Sequence, residues 1–166
     1  MSALFRLKPF DTTHDRSAFR CGSEKLDSYL REQVSQDIRR RVAACFVALA
    51  DSQRIVGYYT VASASLLLAD IPAAMAKKLP RYPTVPAVRL GRLAVDLEFQ
   101  GQGLGGALLA DALDRAARSE IAAHALVVDA TNEMAAVFYR HHGFISLPES
   151  SHILFLPLAT WAKNYK

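Results

Sequence analysis

Several things are scarce in this chain, and each shortage removes a class of protein. It has two cysteines, Cys21 and Cys45, in 166 residues. That is too few for a disulfide-stapled secreted domain and too few to furnish a structural zinc site. A reducing, cytoplasmic setting is therefore expected. Long apolar runs are also missing: the longest, Val61 to Ala69, is about half of what a membrane-spanning helix needs. Arg6 and Lys8 stand near the start with no apolar stretch behind them, so neither a signal peptide nor membrane association is expected. Internal repeats, low-complexity tracts and dividing linkers are absent and prolines are few, which argues against a disordered tail or a collagen-like fibre. The sharpest shortage is local. No carboxylate lies between Asp70 and Asp96, yet Lys77, Lys78, Arg81, Arg89 and Arg92 all fall there.

What is present reads as a globular chain. It is 51% hydrophobic and 22% charged, and its mass of 18.2 kDa is ordinary for one domain with a buried core. A single domain over residues 1–166 is expected. The net charge of +4 and isoelectric point near 9.2 suit an anionic ligand without requiring one. Arg39, Arg40 and Arg41 form a second basic concentration. Both concentrations fit a solvated face as readily as an anion site.

Periodicity predicts strands with interspersed helices. Phe5 to Phe10 reads as a short extended start. Ser23 then caps an amphipathic helix over about 24–39, with Leu26, Tyr29, Leu30, Val34 and Ile38 at helical spacing. Strands are predicted at Ala43–Ala50 and Ile55–Ser63, joined by a turn at Asp51-Ser52-Gln53. A short helix over Ala73–Leu79 follows Pro72, and Pro80, Pro83 and Pro86 break what comes next. Val88–Val95 reads as a strand, Glu98–Gly106 as a glycine-rich turn and Ala107–Ser119 as a helix. A buried strand at Ile121–Asp129, a helix at Met134–His141 capped by Gly143, and a last strand at Ile153–Leu158 complete an α/β or α+β chain with a mixed sheet.

The informative segment runs from Arg92 to Leu109. A strand enters a turn containing Gly101, Gly103, Gly105 and Gly106, and the turn opens a helix. Glycine permits positive φ and close backbone approach. A helix N-terminus supplies unpaired N–H donors and partial positive charge. Together they predict an anion site suited to phosphate or pyrophosphate. No lysine lies in the turn, so nucleoside-triphosphate chemistry of the P-loop kind is not expected. Gly101-x-Gly103-x-x-Gly106 matches a dinucleotide fingerprint literally, but Asp129 lies further along than the acidic ribose partner of that fold should.

Gln100-x-x-Gly103-x-Gly105 between strand and helix resembles the acetyl-CoA signature of the GCN5-related N-acetyltransferases (GNAT). Ala130-Thr131-Asn132 followed by Ala135-x-x-Phe138-Tyr139 and Gly143-Phe144 is similar to the second motif of that family. The resemblance spans about residues 43–158. Cys21-Gly22 before a long helix, Val56-Gly57-Tyr58-Tyr59-Thr60, the basic proline-rich stretch before Arg92-Leu93-Ala94-Val95-Asp96, and Phe138-Tyr139-x-x-His142-Gly143-Phe144 are similar to the toxin acetyltransferases of bacterial toxin–antitoxin pairs.

The resemblance implies an α+β fold (α/β/α): a mixed, mostly antiparallel twisted sheet flanked by helices, with central parallel strands that splay apart. It implies acetyl-CoA as co-substrate, the α-amino group of aminoacyl-tRNA as acceptor, and a ribbon-helix-helix antitoxin as partner. By the same resemblance, backbone amides of Gln100, Gly101, Gln102, Gly103, Leu104, Gly105 and Gly106 take the CoA pyrophosphate. Main-chain groups of Leu93, Ala94 and Val95 pair with the pantetheine arm, and an amide near Val95 polarises the acetyl carbonyl. Tyr139 becomes the general acid for the departing thiolate, although its spacing alone equally suits a core tyrosine. Asn132 fits either a cofactor contact or an N-cap.

For the general base Glu98, Asp129, Glu133 and water all remain open. Adjacent His141 and His142 point to different sides of a helix, and no metal is expected. Lys77, Lys78, Arg81, Arg89 and Arg92 are the candidates for contact with tRNA, with Arg39 to Arg41 a further basic group. The Leu66-Leu67-Leu68 segment suits a homodimer interface or a core equally. Alternative readings are a GNAT enzyme acting on a small amine or a protein N-terminus, and a non-catalytic CoA-binding module.

Overall fold

The computed structural model of the protein describes residues 5–165. Among the described residues there are seven strands: β1 (Arg6–Pro9), β2 (Ala44–Leu49), β3 (Ile55–Leu67), β4 (Thr84–Val95), β5 (Ala125–Asp129), β6 (Ile145–Leu147) and β7 (Ser150–Pro157). The helices are α1 (Glu24–Ser28), α2 (Val34–Arg39), α3 (Ala73–Ala76), α4 (Leu104–Arg118), α5 (Glu133–His141) and α6 (Leu158–Tyr165). The hydrogen-bonded strand order is β1-β2-β3-β4-β5-β7-β6. The pairs β1–β2, β2–β3, β5–β7 and β6–β7 are antiparallel, while β4–β5 is parallel. This is the mixed, mostly antiparallel sheet the sequence led us to expect. Among the described residues no helix is long and apolar enough to cross a membrane.

The chain forms two compact units, one made of the chain up to Ala62 with Gly91–Ala112, the other of Ser63–Leu90 with the chain from Leu113 onward. In the first, the core gathers Phe19, Tyr29, Leu30, Val34, Cys45, Val47, Leu49, Ile55, Tyr58 and Ala94. Gly57 of β3 lies so near α4 that an added Cβ would sit 2.9 Å from the Leu108 Cδ1 and 3.3 Å from the Ala94 carbonyl oxygen. Only glycine lets the helix approach that closely. The buried Tyr59 hydroxyl also donates to the Asp111 carboxylate at 2.6 Å.

Ser23 caps α1 by accepting the Leu26 N–H. The helix expected over 24–39 is found at those bounds, with one feature its periodicity hid: Tyr29–Gln33 is wound as a π-helix between α1 and α2. A π turn disturbs the regular i→i−4 ladder, and the Leu30 carbonyl accepts from the Arg16 guanidinium at 2.9 Å.

In the second unit, Leu66, Ile71, Val85, Ala87, Ala125, Val127, Leu147 and Phe155 form the core. Leu66 is buried and Leu68 packs against that core, while Leu67 is exposed. The parallel β4–β5 ladder pairs Ala87–Leu90 with Ala125–Leu126-Val127-Val128 and stops there, although β4 continues to Val95.

Two expectations are corrected, and two elements had not been foreseen. Proline 86 does not break the chain but lies inside β4, exposed, where its carbonyl accepts the His124 N–H at 2.8 Å; a strand position that only has to accept tolerates a residue without N–H. Helix α4 starts at Leu104 rather than Ala107, because burial of Leu104 and Leu108 outweighs the poor helix propensity of Gly105 and Gly106. Strand β6 and helix α6 had no expectation at all, the first being only 3 residues long and the second following directly on β7.

Candidate active site

The first unit carries the glycine turn. At the end of β4, Asp96 is buried and works as a junction. One carboxylate oxygen accepts the Glu98 N–H at 3.0 Å, starting a short 3₁₀ turn, and the other accepts the Arg20 N–H at 3.1 Å. Arg54 neutralises this buried charge at 3.5 Å, pairs with Glu98 as well, and lies over the Phe99 ring. The Gln100 side chain then donates both to the Val95 carbonyl at 2.9 Å and to the Cys21 carbonyl at 3.0 Å. Backbone order entering the turn is thus set by side chains with defined partners.

Gly101 and Gly103 follow with φ of +79° and +85°, and nothing lies within 4 Å of a Cβ at either position. Glycine is needed there for the left-handed backbone, and the space outside is open. The Gly103 carbonyl accepts the Ala107 N–H at 3.1 Å, which makes Gly103 the N-cap of α4. The first amides of the helix have no acceptor within it, and a glycine cap has no side chain to occupy them. Donors, dipole and open space therefore coincide, and the residues present fit a pyrophosphate. The expected contacts Gln100, Gly101, Gln102, Gly103, Leu104, Gly105 and Gly106 fall together on this turn and first helical turn. Leu93, Ala94 and Val95 occupy the part of β4 beyond its β5 ladder.

Arg92 is not a free cation. Its guanidinium lies 3.5 Å from the Tyr29 ring centroid and donates to the buried Thr60 hydroxyl at 3.4 Å. The Tyr29 hydroxyl donates to Asp37 at 2.7 Å. Both cysteines are free thiols, and burial pushes them up, Cys21 to about 11 and Cys45 to about 12. They are protonated at neutral pH and poor nucleophiles.

The second unit carries Tyr139. Asn132 N-caps α5, its side-chain oxygen accepting the Ala135 N–H at 2.8 Å. At the other end the Gly143 N–H donates to the Arg140 carbonyl at 3.0 Å and the Phe144 N–H to the Tyr139 carbonyl at 3.1 Å, with Gly143 at φ +94°. This pair of bonds is a Schellman closure. Tyr139 lies between the rings of Phe138 and Phe144, with centroids at 5.2 and 5.4 Å. It is 9% exposed, and among the described residues no protein atom hydrogen-bonds its hydroxyl. Burial pushes its phenol up to about 12. The side chain therefore holds its proton throughout the neutral range, with no protein acceptor to take it.

Lys77, Lys78, Arg81 and Arg89 belong to this unit too. All are exposed, and among the described residues none is in an ion pair. Also among the described residues, no group of three or more histidine, cysteine or acidic side chains is gathered as a metal site would need. The sequence reading missed the Arg54–Asp96–Glu98 network, whose members are 42 residues apart at their nearest across Arg54 and Asp96. No local signal announces such a pair.

The chain belongs to the GNAT acetyltransferases: residues 41–146 match the model of the acetyltransferase (GNAT) domain. Over 159 residues it is 38% identical to a protein of Mycobacterium tuberculosis named tRNA-acetylating toxin, covering 94% of each chain. Its structure is similar to that of AtaT complexed with acetyl-methionyl-tRNAfMet, with a TM-score of 0.91, 30% identity, and 98% and 99% of the two chains covered. It is also similar to a tyrosine-to-phenylalanine mutant of the AtaT toxin bound to the C-terminus of the antitoxin AtaR and acetyl-CoA, with a TM-score of 0.82, 26% identity, and 99% and 100% covered.

Proposed function

We propose that this protein is an acetyl-CoA-dependent N-acetyltransferase of the toxin class, modifying the α-amino group of aminoacyl-tRNA and so blocking translation. The observation that carries the reading is the turn at Gly101 and Gly103, whose left-handed backbone leads unopposed amides of α4 into open space directly after β4. The family match and the 38% identity to a tRNA-acetylating toxin support the acceptor.

Acetyl-CoA supplies an acetyl group activated as a thioester. In the proposed reaction the amine nitrogen attacks the thioester carbonyl, a C–N bond forms, the C–S bond breaks, the amine loses a proton and the sulfur gains one. Amides from Gln100 to Gly106 hold the pyrophosphate. Leu93, Ala94 and Val95 offer strand N–H and C=O groups to the pantetheine arm, and an amide near Val95 polarises the carbonyl as negative charge develops on its oxygen.

Tyr139 donates its hydroxyl proton to the sulfur. At about 12 the phenol is a weaker acid than a thiol of about 8.5. The proton is therefore first shared in a hydrogen bond that strengthens as charge grows on the departing sulfur, crosses to the sulfur as the C–S bond breaks and is replaced on the phenol from solvent; about 10²–10⁴ in rate is the usual scale for a positioned proton donor. Asn132 acts first as the cap of α5, which fixes the helix carrying Tyr139. Lys77, Lys78, Arg81, Arg89 and the stacked Arg92 meet the tRNA phosphates. A ribbon-helix-helix antitoxin is the proposed partner, and the cytoplasm, where charged tRNA resides, the proposed place of action.

The test is transfer of label from [acetyl-¹⁴C]acetyl-CoA to total charged tRNA, with deacylated tRNA as control. Label confined to charged tRNA is the expected result. Acetyl-CoA binding without any labelling of charged tRNA would overturn the acceptor assignment and direct attention to small amines and protein N-termini.

A further inference from the structure

Tyr82 has no role in the proposed reaction, yet its setting is unusual for a large aromatic. It is 70% exposed, on a loop that is pinned rather than loose. Below the loop, Lys77 donates its N–H to the Ala73 carbonyl at 3.1 Å and Leu79 to the Ala76 carbonyl at 3.0 Å. The Leu79 side chain packs on the core of its unit. Above the loop, the Pro83 carbonyl accepts the Leu68 N–H at 2.9 Å and Val85 is buried. Pro80 and Pro83 fix two φ angles, and Pro83 restricts Tyr82 to extended backbone. The ring is thus presented in water by a backbone with little freedom left to lose, which lowers the entropy cost of using it in binding.

Its neighbours along the chain share one sign of charge. Lys77, Lys78, Arg81 and Arg89 are exposed, unpaired among the described residues, and set in a stretch with no carboxylate from Ile71 to Val95. A cationic partner is repelled by such a surface. An apolar protein partner would leave the cations to be desolvated without counterions. A single-stranded nucleic acid suits both features at once, because its phosphates take the cations and an unpaired base has a face that stacks on an aromatic ring.

We propose that Tyr82 is a stacking platform for an unpaired base at the 3′ end of the RNA acceptor, with Lys77, Lys78 and Arg81 of the same stretch, and Arg89 further along β4, holding its phosphates. This rests on the reading of charged tRNA as substrate and adds to it a residue that sequence motifs do not mark. Loss of one stacked base weakens binding by about five- to 150-fold.

The experiment has two arms. In the first, acetyl transfer to charged tRNA is followed for wild type, Tyr82→Ala, Tyr82→Leu and Tyr82→Phe. Both Ala and Leu should raise the KM for charged tRNA by about five- to 150-fold while leaving kcat and the KM for acetyl-CoA in place, and Phe should restore the wild-type KM. Because the ring is exposed, the thermal midpoints of all three should match wild type.

In the second arm, Tyr82→Trp reports binding of deacylated tRNA by fluorescence, compared with the same tRNA trimmed back to its last base pair. Quenching by the full tRNA alone is expected. Wild-type KM in Tyr82→Leu, or equal quenching by trimmed tRNA, would overturn the proposal. Should wild type fail to acetylate charged tRNA while the quenching still requires the unpaired 3′ end, the substrate reading falls and the stacking site stands.

Discussion

Phe144 donates its backbone N–H to the carbonyl of Tyr139 at 3.1 Å, and the two rings lie 5.4 Å apart. The closing turn of α5 and the side chain assigned to proton donation are therefore one local structure. The Schellman bonds end the helix, and the accompanying hydrophobic contact seats the tyrosine ring. The Gly143-Phe144 pair that follows Tyr139 has a physical reason here: Gly143 supplies the left-handed residue and Phe144 the contact.

Replacing Tyr139 by phenylalanine keeps both ring contacts and removes only the hydroxyl. kcat should fall by about 10²–10⁴, with the dissociation constant for acetyl-CoA little changed. Steady-state kinetics with calorimetric binding checks this. Wild-type kcat in Tyr139→Phe would remove the tyrosine from the mechanism.

Gly143→Ala puts a Cβ on a residue at φ +94°, at a cost of about 1–2 kcal/mol. The thermal midpoint should fall, and kcat should fall beyond what the fraction of unfolded protein explains, because the closure that seats Tyr139 is strained. Equal midpoints for variant and wild type would mean that the turn is not held as described.

Gly103→Ala carries a similar strain at φ +85° but touches nothing, since no atom lies within 4 Å of the new Cβ. Its expected effect is about five- to 30-fold weaker acetyl-CoA binding if the strained turn relaxes in the free protein and must be re-formed in the complex. Calorimetry measures it directly. Unchanged affinity would detach this turn from the cofactor.

The reading of the glycine turn from sequence succeeded because its determinants are local: a strand, residues able to adopt positive φ, and a helix with an apolar face. The same holds for Ser23, Asn132 and Gly143 as caps. The π turn at Tyr29–Gln33 was invisible because one extra residue within a helix leaves the apolar spacing nearly intact. Arg92 illustrates what sequence cannot show. Its charge and position mark it as a candidate for tRNA contact, while its stacking on Tyr29 and bond to Thr60 bring together residues distant in sequence. Pairings of that kind, like Arg54 with Asp96, depend on register across β3 and β4 and leave no periodic trace.

Gly57→Ala should destabilise the protein by about 1–3 kcal/mol through overpacking, because its Cβ would meet Leu108 at 2.9 Å and the Ala94 carbonyl at 3.3 Å. Leu108→Ala in the same chain should recover part of the loss by clearing the first contact. Urea unfolding of the single and double variants tests this coupling, and strictly additive losses would contradict it.

Alkaline stability should also report on Tyr139. The unfolded phenol loses its proton near 10, whereas the folded one holds it to about 12. Unfolding therefore releases a proton between those values. The stabilisation from the buried neutral phenol is complete below pH about 10 and is lost as pH rises toward about 12. Tyr139→Phe should show a shallower decline than wild type over that window in thermal melts; parallel curves would place the hydroxyl in solvent.

In the proposed reaction an acetyl group moves from acetyl-CoA to the amino acid of a charged tRNA. The most direct measurement is the mass of the aminoacyl-adenosine released by ribonuclease from charged tRNA after incubation with the protein and acetyl-CoA. The expected result is a species one acetyl group heavier, with the added mass on the amino acid, and strongly diminished with Tyr139→Phe. Aminoacyl-adenosine of unchanged mass, from protein shown to bind acetyl-CoA, would contradict it.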